Sequence, residues 1–134
     1  AYQARRPIRA VKQLMQDLFE EHRLGNLTDL EFVHRSNTLL KRLLVVALGM
    51  DTLAKASNSH WLEALDSISD SQDFTQGSGQ ILGMQRFDRN STADIAQLKQ
   101  LLSKLTAKVH PTKTKLRLIK AAPNANSRLE SAHD

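Results

Sequence analysis

The 134 residues carry 40% hydrophobic and 25% charged side chains, the balance of one globular domain rather than a disordered chain. They hold no cysteine, which excludes disulfide staples and thiolate metal sites, and only six aromatics, so Leu, Ile, Val and Ala must build the core. The net charge of +5 gathers at one end: 13 Lys/Arg stand against 12 Asp/Glu through residue 107, and six against two from Lys108 onward. A basic stripe on the folded body, the usual footprint of a nucleic-acid-binding fold, is therefore not expected.

In chain order, residues 7–24 place Ile8, Val11, Leu14, Met15, Leu18 and Phe19 at three-and-four spacing, one face of a helix. Pro7 loses no hydrogen bond at a first helical position, and Gly25 can supply a left-handed C-terminal cap. The next helix is predicted over 28–48. Thr28 and Glu31 make a capping box, with Leu27 and Phe32 as a hydrophobic staple. Leu30, Val33, Asn37, Leu40, Leu44 and Ala47 form its seam, and Leu39, Leu43, Val46 and Leu48 widen that seam until little polar surface remains. A rod of this kind, ~30 Å long, belongs in the middle of a bundle, and Gly49 ends it.

Residues 50–56 read as short turns with Leu53 inward. Asn58 or Ser59 caps a helix near 60–69 that shares Trp61, Leu62, Leu65 and Ile68 on one face. The stretch DSQDFTQGSG, 70–79, is loop by composition and pinned by Phe74; 80–87 is a short helix with Ile81, Leu82 and Met84 inward. Ser91 and Asp94 suggest a second capping box, followed by Ile95, Leu98, Leu101, Leu102, Leu105 and Val109 on one seam, with Lys99, Lys104 and Lys108 outside it. Beyond His110 the pattern dissolves. The expected architecture is all-α, a bundle of four to five helices around a buried central helix (28–48), with a domain over 1–110 and a basic, flexible tail over 111–134.

No chemistry-bearing constellation emerges. His22, His34, His60, His110 and His133 lack short ligand spacing. Gly77-Ser78-Gly79 has neither the Lys of a P-loop nor the strand and third Gly of a dinucleotide loop. Ser36 and Ser59 lie near a His in sequence only, and helical residues two apart point away from each other. The reading is a non-enzyme with no metal or cofactor. Asn37, on the apolar seam, is read as a satisfied core amide that fixes packing register. Lys41 and Arg42 interrupt the apolar run and must emerge on a solvated strip, a candidate partner surface. Arg5, Arg6, Arg9 and Lys12 form either a solvated helix entrance or a membrane-proximal basic segment.

The order of these features resembles a bacterial family known only as a domain of unknown function, DUF4381. Its members are short membrane-anchored proteins encoded beside MoxR-type AAA+ ATPases and proteins with von Willebrand factor A domains. Ser36, Asn37, Leu39, Leu40, Lys41 and Arg42 match the family's Leu-Asn-x-Leu-Leu-(Lys/Arg)-Arg pattern, and Trp61, Leu62, Leu65 and Asp66 match its Trp-Leu-x-x-Leu-Asp. QILGMQRF ends on Phe87, with Asp88-Arg89 where the family has a basic residue or Pro, and Met50-Asp51-Thr52 stands where Tyr-Pro-Arg is common.

The resemblance implies a membrane span upstream of Ala1 and a domain on the cytoplasmic face of the bacterial inner membrane. Its implied role is an adaptor working with the ATPase and the von Willebrand factor A protein. Within the chain itself no apolar run approaches the ~20 residues of a span. The alternative function is a nucleic-acid-binding module that contacts phosphates through Lys113 to Lys120, with steep salt dependence.

Overall fold

The computed structural model describes residues 2–88, 90, 92–110, 113, 114 and 118, the first six of these (2–7) as backbone only. Among them are four α-helices and no strand: α1 (Tyr2–Arg23), α2 (Asp29–Lys41), α3 (Asn58–Ser69) and α4 (Ile95–Lys108). Arg42–Ala47 continues α2 as π-helix, and three short 3₁₀ turns cover Asp51–Lys55, Ser78–Leu82 and Met84–Phe87. The all-α bundle expected from the periodicities is the observed fold. Its first helix starts at Tyr2, five residues before Pro7, so Pro7 stands in the second turn and has no N–H to donate to the Gln3 carbonyl.

The central rod begins as its sequence dictates. Thr28 Oγ1 accepts from the Glu31 N–H at 3.1 Å, and Glu31 Oε1 accepts from the Thr28 N–H at 3.1 Å. Phe32, Val33, Leu40, Leu43 and Leu44 are all 1% exposed or less. Leu43 and Leu44 open the π turn and both lie inward, as the neighbours Phe32 and Val33 do in the regular part of the helix. The Leu48 N–H closes on Leu43 O at 3.2 Å, and Gly49 at φ +69° lets the Met50 N–H return to Leu44 O. The rod is not apolar all round, however. Leu30 (42% exposed) and Val46 (73%) face solvent with Glu31, Arg35, Thr38 and Arg42, a strip that recurs every three or four residues.

α1 packs along α2 and its π continuation through Ile8, Val11, Met15 and Leu18, while Leu14 is turned outward. Lys12 Nζ donates to Val109 O and Lys99 Nζ to Phe19 O, both at 3.4 Å, which sets α4 antiparallel to α1. The Lys99 ammonium also lies over the rings of Phe32 (5.5 Å) and Phe19 (6.0 Å). α4 buries the whole predicted seam: Ile95, Leu98, Leu101, Leu102, Leu105 and Val109. Its N-cap is Asp94, whose carboxylate accepts from the Gln97 N–H, so the expected Ser91–Asp94 box does not form: Asp94 precedes the first turn instead of lying within it. Ser91 itself lies outside the described residues.

α3 is capped by Ser57, one residue before the expected positions, and its Ser69 carbonyl is satisfied by Lys108 Nζ at 2.7 Å. Asp66, on the same helix, organises the loop that follows. Its Oδ1 accepts from the N–H groups of Phe74 (2.8 Å) and Thr75 (3.3 Å), and its Oδ2 accepts from Thr75 Oγ1. Phe74 is thereby pinned fully buried. Asp66→Ala should cost about 1.5–3 kcal/mol, the range for hydrogen bonds to a charged group, read as a lower urea midpoint at unchanged slope.

Beyond residue 110, Lys113, Thr114 and Leu118 are helical, and Thr114 and Leu118 are buried. The other residues of the expected 111–134 tail lie outside the described set.

Candidate functional site

The two 3₁₀ turns over 78–87 position the most unusual surface of the molecule. Gly83, at φ −91° and ψ −140°, separates them and rotates the second against the first. Ile81 and Leu82 therefore point inward, whereas Met84 and Phe87 are 69% and 61% exposed. The expectation that Met84 turns inward was based on one continuous short helix, which Gly83 interrupts. A 3₁₀ turn aligns residues three apart, so Met84 and Phe87 share one outward face.

Between them Arg86 folds back into the protein. Among the described residues it is the one charged side chain that is buried. Its Nη1 donates to Leu82 O at 2.7 Å, Gly83 O at 2.9 Å and Asn58 Oδ1 at 3.1 Å. Carbonyls at the end of a 3₁₀ turn, together with one amide, take the place of a carboxylate. Burial lowers the Arg86 pKa from its ordinary value, as expected for a cation satisfied by dipoles alone. Asn58 also directs its Nδ2 to Met84 Sδ at 3.9 Å, so one amide ties the turn to α3.

Phe87 is held from both sides. The Arg86 guanidinium lies 4.2 Å from its ring centroid, and the His34 ring on α2 lies at 5.7 Å. One helical repeat beyond His34, Lys41 lies half-buried with Nζ 5.6 Å from the Trp61 ring centroid. Burial, then the nearby positive charge of Arg86, holds the Lys41 ammonium below the usual lysine range. Beneath this face, Trp61 Nε1–H donates to Asn37 Oδ1 at 2.7 Å, which satisfies both buried groups. Asn37 is the hydrogen-bonded core amide that the sequence suggests.

The remaining predicted residues distribute as follows. Arg42 is exposed on the solvent strip, one step round the helix from Lys41. Arg9 is exposed and Lys12 Nζ donates to Val109 O; the side chains of Arg5 and Arg6 lie outside the described set. Leu65 is buried, Leu62 half-buried where it meets Gly83, and Asp66 serves the loop described above. Phe87 belongs to the surface and not to the core. Arg86 and Asn58 were not foreseen, because an Arg beside an aromatic and an Asn at a helix start both read as ordinary surface chemistry.

Elsewhere, Ser36 is fully buried with no hydrogen-bond partner for its Oγ among the described residues. Ser36→Ala should leave stability unchanged or raise it by up to about 1 kcal/mol, measured by urea unfolding, since an unsatisfied hydroxyl is removed from the core. Asp29, adjacent to the cap of α2, pairs with His22 at 2.7 Å. An open depression of about 510 Å³ is lined by Glu63, Asp66, Asp70, Ser71, Gln72 and Thr75, among others. No group of three His, Cys, Asp or Glu among the described residues is placed to hold a metal ion, and no helix among them is long and apolar enough to cross a membrane.

This arrangement joins Asn37 and Lys41 to Trp61 and puts Phe87 against α2, the residues shared with the family pattern. A family profile described as a domain of unknown function, DUF4381, matches residues 1–108. The chain belongs to the DUF4381 family. No curated protein and no solved structure matches it significantly. In this DUF4381 domain the matched segment ends at the last residue of α4, so the profile spans the whole four-helix body.

Proposed function

We propose that this domain is a non-catalytic adaptor in a membrane-anchored protein, held at the cytoplasmic face of the bacterial inner membrane. Its partners in this reading are a MoxR-type ATPase and a von Willebrand factor A protein. The observation that carries the reading is the outward Met84–Phe87 pair, with the Phe87 ring against a buried arginine that has no carboxylate partner among the described residues. A side chain as costly to expose as Phe, fixed on such a turn, is expected where another protein is to cover it. The resemblance supplies the identity of the partners, and the basic cluster Arg5, Arg6, Arg9 and Lys12 agrees with an anchor upstream.

The test is co-purification of the full-length protein with the ATPase and the von Willebrand factor A protein from neighbouring genes. Retention of either above an unrelated membrane-protein control is expected; retention of neither contradicts the reading. The nucleic-acid alternative is based on the tail alone. The test replaces Lys113, Lys115, Arg117 and Lys120 by Gln rather than deleting the segment, because Thr114 and Leu118 are buried and a cut before them would open the core.

A further inference from the structure

This inference deepens the adaptor reading by giving it a surface and a partner chemistry. We propose that the Met84–Phe87 turn and the adjoining face of α2 form the docking site for an acidic protein segment bearing an aromatic or long aliphatic side chain.

The apolar half of the site is preformed. Phe87 is 61% exposed yet bracketed by the Arg86 guanidinium and the His34 ring, and the Met84 thioether lies 3.9 Å from the Asn58 amide. A partner's ring or aliphatic chain laid between them meets surfaces that need little further ordering, which removes much of the usual cost of association.

The polar half is set by charge. Lys41 and Arg86 stand close enough that the charge of Arg86 disfavours the Lys41 ammonium, and the next residue, Arg42, is exposed. None of the three has an ion pair among the described residues. Of the carboxylates nearest in sequence, Asp88 Oδ1 accepts from the Asn90 N–H, and Glu31, which caps α2, lies under the charge of Arg35. Lys41 at the edge of an apolar pair, with the buried Arg86 cation behind it and exposed Arg42 next to it in the chain, complements a segment that brings both acid and hydrophobe.

An anionic bilayer is less well matched. Two outward apolar side chains on a short turn insert little into lipid, and the Arg86 charge is fixed inside the protein rather than carried to the surface on a flexible stem. A second copy of the chain could offer the acidic depression near Glu63 and Asp70, but Asp66 at its base is already bound to the loop.

The experiment selects random dodecapeptides by phage display on the immobilised full chain, then measures the enriched peptides by fluorescence anisotropy. The expected result is enrichment of peptides with Asp or Glu beside Phe, Leu or Ile. Their binding should weaken as salt is raised, and by about tenfold or more in each of Phe87→Ala and Lys41→Glu. Enrichment of basic peptides, no enrichment, or equal binding by the variants overturns the proposal. So does a Phe87-dependent association with phosphatidylglycerol vesicles, or Phe87-dependent self-association in sedimentation, when either is stronger than peptide binding. If peptides bind at this face while the ATPase and its neighbour are not retained, the surface stands and the adaptor's partners are wrong. If those proteins are retained equally by Phe87→Ala, the adaptor reading stands and the surface is wrong.

Discussion

Trp61→Ala is expected to remove about 3–5 kcal/mol of stability, the largest single loss in this domain. The indole is 1% exposed, and its removal leaves both a large void and Asn37 Oδ1 without its donor in the core. Against the roughly 5–15 kcal/mol that holds a small domain together, such a loss leaves a marginal fold. Because Trp61 is the single tryptophan, its fluorescence reports unfolding of the natural chain, and far-UV circular dichroism must serve for the variant. Trp61→Phe separates the two contributions, since it keeps most of the apolar area but strands Asn37. Adding Asn37→Leu to Trp61→Phe should recover part of the loss, because removing both partners of a buried hydrogen bond costs less than removing one. If the double variant is no more stable than Trp61→Phe, the pair does not behave as a hydrogen-bonded unit.

Gly79→Ala should be nearly as damaging, at or above the roughly 3 kcal/mol upper end for overpacking. A Cβ there would lie 2.4 Å from Phe74 Cδ1, 2.8 Å from Phe74 Cα and 2.9 Å from Asp73 O. Two of those three atoms are backbone, and the third belongs to a fully buried ring, so nothing nearby can move freely. The loop would have to retreat from Asp66, loosening the Ser78–Leu82 turn that packs on α2, α3 and α4. Gly25→Ala provides the contrast. Its site is open but φ is +81°, so only the backbone cost of a side chain in the left-handed region, about 1 kcal/mol, is expected. Thermal or urea unfolding of the two variants side by side reads the difference. Comparable losses would mean that the contacts at Gly79 are not rigid.

Most of the architecture was legible from spacing and caps. The Thr28–Glu31 box, the α4 seam and the buried Asn37 follow directly from residue types whose local physics allows few alternatives. Val46 is 73% exposed because it continues the strip of Glu31, Arg35, Thr38 and Arg42, a spacing that outranks its apolar side chain. A uniform 3.6-residue period cannot anticipate two 3₁₀ turns broken at Gly83, which is why Met84 and Phe87 face outward. Nothing in the sequence marked Arg86 as buried, since two of its three partners are carbonyls placed by the turn itself.

The central claim is that Phe87 is kept for a partner and not for the fold. Phe87→Ala in the full-length protein, read in parallel for melting temperature and for retention of the neighbouring ATPase or von Willebrand factor A protein, tests it most directly. The account predicts a stability change within about 0.5 kcal/mol, as for an exposed side chain, together with loss of the retained protein. A substantially lowered melting temperature with retention unchanged would contradict it.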